Sequence, residues 1–190
     1  MDLSTYDNSD FDRGAPQWKE ALWVLLRCLF FQNPFPWPSS LRVDLLRAFG
    51  AQIGREVVIR ANVNISFPWR LTIGDHVWIG EDVGILSLAQ VTIGSNVCIS
   101  QRAYLCSGSH ESDRDDFKLI VAPITIEEQS WVAAAAFIGP GVRIGKGSVI
   151  AAGSVVMRDV PPESFVRGNP AEARPKMEST DQRSEITRQS

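Results

Sequence analysis

From Ile53 onward an aliphatic residue returns every six positions. Ile53, Ile59, Ile65 and Leu71 form a first run, and Ile73, Ile79, Ile85 and Val91 a second. Ile93, Ile99 and Leu105 form a third, and after a gap Ile126, Val132, Ile138, Ile144, Ile150 and Val156 form a fourth. Four positions after many of them stands a small or β-branched residue, as at Val63, Val77, Ala103, Ala136 and Ser148. The residue directly after is often glycine, as at Gly54, Gly74, Gly94 and Gly145. A helix repeats at 3.6 residues and a strand alternates at 2, so neither keeps one residue in six inward. A six-residue side ending in a corner suits a triangular coil, three sides to a turn, with the aliphatic inside and the small residue near the corner. Each coil covers the apolar face of the next, so the core is continuous and several repeats are needed. The glycines are expected to supply the backbone angles that corners demand. The register jumps by two at Leu71/Ile73 and at Val91/Ile93, which predicts two coils of 20 residues and later coils of 18. Parallel crossovers are ordinarily right-handed; the period alone assigns no hand.

The flanks divide the chain into three. Residues 1–52 carry a different pattern, with helices expected over 16–31 and 39–49, joined by the proline-rich "QNPFPWPSS". Residues 53–170 hold the repeat, and 171–190 form a polar tail expected to be disordered past Pro175. Inside the repeat the pattern stops between His110 and Pro123. Residues 111–123 therefore read as one projecting loop, the usual place for a binding face on a solenoid. His110 stands at that break, and the only other histidine, His76, lies within a repeat.

Composition narrows the function classes. The net charge of −3, with no basic stripe, argues against a nucleic-acid binder. Cys28, Cys98 and Cys106 give no even-numbered disulfide framework and no CxxC, which fits a reducing cytoplasm. The acidic N-terminus does not read as a signal peptide, and "ALWVLLRCLFF" is too short and too charged to span a bilayer. Six aromatics crowd residues 18–37. They suit a cap on the open end of a solenoid; a peripheral membrane contact through the same residues is the other reading.

The repeat, with "SGSH", "PITI", the "W" of "SWVAAAAF" and "GNPA", resembles the hexapeptide-repeat acyltransferases. With "LSTYDNS" and "LFFQNPFPWPSSLRVDLLRAFGAQIG" added, the resemblance is to their colanic-acid biosynthesis acetyltransferases and covers nearly the whole chain. It implies a left-handed parallel β-helix with a short N-terminal helical cap and one projecting loop. It further implies acetyl-CoA-dependent O-acetylation of a saccharide in exopolysaccharide biosynthesis by a homotrimer.

Acetyl transfer from a thioester to a hydroxyl needs a base for the hydroxyl proton. An imidazole titrates in the right range and contributes about 10²–10⁴-fold. The resemblance places His110 in that role, with direct attack and no acyl-enzyme. Cys106, Ser107 and Ser109 lack a second histidine nearby to activate them. Glu111 is a minor candidate for fixing the tautomer. For the coenzyme A arm the resemblance points to Trp131, Ala134, Ala152, Met157 and Arg158. The position after "NPA", usually basic in the family, is Glu172 here, and Arg174 or Lys176 would have to compensate. Two histidines fall short of the three-histidine zinc site of the γ-class carbonic anhydrases, which share the fold, so no metal is expected. An acetyltransferase of an antibiotic or amine, or a non-catalytic β-helix scaffold, stays open at this level.

Overall fold

The six-residue pattern folds as a parallel solenoid. The structure, a computed structural model, describes residues 3–33, 35–113 and 115–176. Its strands stack into three faces. Face 1 holds Gln52–Ile53, Leu71–Ile73, Val91–Ile93, Ile124–Ile126 and Arg143–Ile144. Face 2 begins with Val58–Ile59, Trp78–Ile79, Cys98–Ile99, Trp131–Val132 and Val149–Ile150. Face 3 holds Asn64–Ile65, Gly84–Leu86, Tyr104–Cys106, Phe137–Ile138 and Val155–Val156. The registers Ile53↔Ile73↔Ile93 and Ile126↔Ile144 confirm coils of 20 and then 18 residues. The hexad aliphatics from Ile59 to Val156 stack as a continuous buried column.

The corner glycines do something other than expected. The left-handed backbone falls on the residue just before the small corner residue: Glu56, Asn62, His76, Asp82, Asn96 and Arg102, and later Gly141, Gly147 and Gly153. The glycine after the aliphatic instead lets successive coils touch. A methyl at Gly94 would lie 2.6 Å from the Glu128 amide nitrogen of the next coil.

Helix α1 (Gln17–Phe30) and helix α2 (Ser39–Ala48) close the first coil. Trp23 is fully buried against Phe31 and Phe49, and its indole N–H donates to the Ile65 carbonyl at 2.9 Å. Pro38 takes the N-cap position of α2, and the Ser39 hydroxyl accepts the Ile59 N–H at 2.7 Å. Buried Arg42 donates to the carbonyls of Phe30, Trp37 and Ile59 and so ties both helices and their connector to the coil. Its burial and the charge of Arg60 lower its pKa.

At the other end Ser164–Gly168 joins face 2, and Ala171–Pro175 folds back antiparallel on it. The domain end drawn at residue 170 from the sequence thus falls inside a hairpin. The polar stretch from residue 177 onward lies outside the described residues.

Candidate active site

The segment that interrupts the repeat is a two-stranded arm. Gly108–His110 pairs antiparallel with Leu119–Val121, setting His110 opposite Leu119. The arm leaves the solenoid at the edge between faces 3 and 1. Ser107 pins its root: the buried hydroxyl donates to the Leu86 carbonyl at 2.7 Å and accepts the Ala89 N–H at 2.9 Å. That engagement leaves Ser107 a structural residue. The Cys106 thiol points to the Gly108 carbonyl at 3.1 Å, and Ser109 is exposed.

His110 is half-buried and held on several sides. Its Nδ1 lies 2.8 Å from the Phe117 carbonyl. A carbonyl only accepts, so Nδ1 carries the proton, and in the neutral ring Nε2 holds the lone pair. The Phe117 ring stacks on the imidazole at 4.2 Å with an interplanar angle of 3°. Tyr6 meets it edge-to-face at 5.7 Å. The tautomer is therefore set by a backbone carbonyl rather than by Glu111, whose N–H bonds the Lys118 carbonyl within the arm. Neither Tyr6 nor Phe117 was singled out from the sequence. Phe117 sits in a non-repeating loop, and Tyr6 comes from the far end of the chain. The other histidine, His76, is an exposed corner residue with φ +56°.

The residues proposed for the coenzyme arm divide between two edges. Trp131 stands exposed on the outer side of face 2, its indole N–H donating to the Ser100 hydroxyl at 2.8 Å. Ala134 and Ala152 occupy equivalent places one coil apart on the edge between faces 2 and 3. The Gly153 N–H bonds the Ala134 carbonyl at 2.9 Å, and a methyl at Gly153 would meet nothing within 4 Å, so the edge there is low and open. Met157 and Arg158 lie on the edge between faces 3 and 1, the edge that bears the arm. They line a cleft of about 640 Å³ with Val160, Pro170, Ala171 and Glu172. Arg158 carries no ion pair among the described residues, whereas Arg174 stands opposite Phe165, outside the cleft lining, with a guanidinium nitrogen 3.9 Å from Glu172. One chain thus brings His110 onto the same edge as Met157 and Arg158, and leaves Trp131, Ala134 and Ala152 around the corner. Among the described residues no group of three or more His, Cys, Asp or Glu is placed to hold a metal.

Comparison with known proteins adds sequence relatives and a solved structure. The family described as bacterial transferase hexapeptide (six repeats) matches residues 123–158. The chain is 42% identical to the Escherichia coli protein named "Putative colanic acid biosynthesis acetyltransferase WcaF", over 90% of this chain and 94% of that one. It is 31% identical to the E. coli galactoside O-acetyltransferase, over 74% of this chain and 70% of the relative. A hexapeptide-repeat acetyltransferase of Vibrio cholerae, crystallised with acetyl-coenzyme A, superposes with a TM-score of 0.76 at 30% identity, covering 85% of this chain and 89% of that one. The solenoid shares the left-handed coil of such acetyltransferases.

Proposed function

This chain belongs to the hexapeptide-repeat acetyltransferases, and from that premise we propose that it moves the acetyl group of acetyl-coenzyme A to a saccharide hydroxyl in exopolysaccharide biosynthesis, with His110 as the base. The tautomer of His110 carries the reading: the Phe117 carbonyl occupies Nδ1 and leaves Nε2 to take a proton. As the hydroxyl oxygen attacks the thioester carbonyl, Nε2 removes its proton and the new C–O bond forms. The tetrahedral intermediate then collapses, the C–S bond breaks, and the imidazolium returns the proton to the coenzyme A thiolate. No acyl-enzyme is needed, because the intermediate forms directly on the acceptor.

Trp131, Ala134 and Ala152 flank the pantetheine arm in this reading, and Met157 and Arg158 meet the adenosine end. Arg158, lining the cleft without an ion pair among the described residues, is the better phosphate partner; Arg174, close to Glu172, is the poorer one. The division of these residues between two edges supports a homotrimer in which the arm of one chain closes on the open edge of its neighbour. The exposed outer row of face 2, with Trp78 and Trp131, offers apolar surface for such packing.

The saccharide class rests on relatives named for colanic acid and for galactosides. The exposed row Trp18, Leu22, Leu25 and Leu29 along α1 supports peripheral contact with a lipid surface at the inner face of the cytoplasmic membrane. No helix among the described residues is long and apolar enough to cross a membrane.

The test is acetyl-CoA consumption against a panel of free and lipid-linked saccharides, with products identified by mass spectrometry, for the wild type beside His110→Ala. Turnover that is lost in the variant while coenzyme A binding persists supports the base. Unchanged turnover in the variant refutes it. Acetylation of amines alone would move the protein to another acceptor class.

A further inference from the structure

The first residues of the chain climb the same edge that carries the arm. Near the first coil the Trp69 indole N–H donates to the Arg13 carbonyl at 2.8 Å, and Arg70 donates to the Asp12 carbonyl. Arg70 also bonds the Leu88 carbonyl one coil further on, and its guanidinium lies 5.2 Å from the Phe11 ring centroid. Phe11 packs edge-to-face on Phe67 at 6.3 Å. Between these anchors and the tip the chain turns tightly at Asp7, whose carboxylate accepts the Ser9 N–H and hydroxyl. At the tip Tyr6 reaches the His110 ring, and the Thr5 hydroxyl donates to the Asp115 carbonyl in the arm at 3.4 Å. The terminal segment is tied to the first coil at one end and to the arm at the other.

We propose that residues 3–13 form a strap and that Tyr6, through its ring contact, is a positioning residue for His110. The inference rests on His110 being the base. Among the described residues of the arm, Phe117 supplies the imidazole with a hydrogen bond and a stacked ring, in a segment that the repeat does not buttress. A second aromatic ring from an independently anchored segment removes the remaining freedom of the imidazole. The site is therefore incomplete without the chain's own N-terminus.

Two readouts test the strap. The first is NMR of the ring protons, which needs no acceptor. Tyr6→Ala should move the His110 resonances and leave those of His76 in place; unmoved His110 resonances would overturn the contact. The second is turnover with the saccharide acceptor. Tyr6→Ala, and separately deletion of residues 1–8, should lower kcat about 10-fold or more while the KM for acetyl-CoA stays within about two-fold. Tyr6→Phe should restore kcat to within about three-fold, because the ring does the work. Tyr6→Ala added to His110→Ala should cost nothing further. A further loss in the double variant, or loss of acetyl-CoA binding in both strap variants, sinks the positioning role. Normal kcat in Tyr6→Ala with His110→Ala inactive removes the strap and keeps the base; normal kcat in His110→Ala removes the base itself.

Discussion

Gly94→Ala separates two explanations of the glycine that follows each inward aliphatic. Its new methyl would stand 2.6 Å from the Glu128 amide nitrogen and 3.0 Å from two further backbone atoms of the neighbouring coil. Ordinary contact begins near 3.5 Å, so two backbones must part by about an ångström. Neither can swing away as a side chain could, since each is fixed by the ladder above and below. Overpacking of this kind costs about 1–3 kcal/mol, and rigid backbone on both sides puts it near the upper end. Gly153→Ala is the control. Gly153 has φ +69° and open space around its missing methyl. Its cost is the left-handed backbone alone, about 1–2 kcal/mol, partly offset by about 0.4–1 kcal/mol from a stiffer unfolded chain. For a chain of this size each kcal/mol is about 2–4 °C in Tm. The midpoint of thermal unfolding followed by circular dichroism should therefore drop by about 5–10 °C for Gly94→Ala and by less, about 0–6 °C, for Gly153→Ala. Equal losses, or a larger loss at Gly153, would return the corners to backbone angle and refute the argument from coil contact.

Three further outcomes follow from the geometry. Ser107→Ala strips the Ala89 N–H of its acceptor while the Leu86 carbonyl keeps the Ser107 backbone N–H; denaturant unfolding should show about 1–3 kcal/mol lost, with turnover retained, whereas abolished turnover in folded protein would mean a chemical role. Arg158→Ala should raise the KM for acetyl-CoA about 10-fold or more, by steady-state kinetics, and Arg174→Ala should raise it far less, because only Arg158 lines the cleft. Trp23→Ala removes a fully buried indole and its bond to Ile65; about 3–5 kcal/mol of stability should go, measured by the same unfolding curve.

The solenoid was legible because its core asks for one aliphatic in six, and nothing but a three-sided coil meets that demand. The 20- and 18-residue coils could be counted from register jumps alone. The left-handed positions were equally visible, yet were assigned to the wrong residue. Asn62, His76, Asp82 and Asn96, just before the small corner residue, are of the types that tolerate positive φ, and they mark the turn better than the glycines do. His110 could be found because it breaks a pattern. Its partners could not, because the arm's strands are three residues long and its hydrogen bond runs to a main-chain carbonyl that any residue could supply. Tyr6 left no signal that periodicity could detect, since its contact joins residues far apart in the sequence. The edges on which Trp131, Arg158 and His110 fall emerge only once the coils are closed.

The stacking of Tyr104 on Phe137 and of Phe137 on Val155 through the face 3 register makes the solenoid a ruler. The arm departs just after Tyr104–Cys106, and Met157 and Arg158 follow Val155–Val156, two strand spacings higher. At about 4.8 Å a spacing, that fixes an axial offset of about 10 Å. The offset changes only in whole coils. Removing or adding one 18-residue turn would shift it by one increment and keep the remaining corners and inward aliphatics in register. The axial offset between the root of the arm and Met157 and Arg158 is thus set by counting turns.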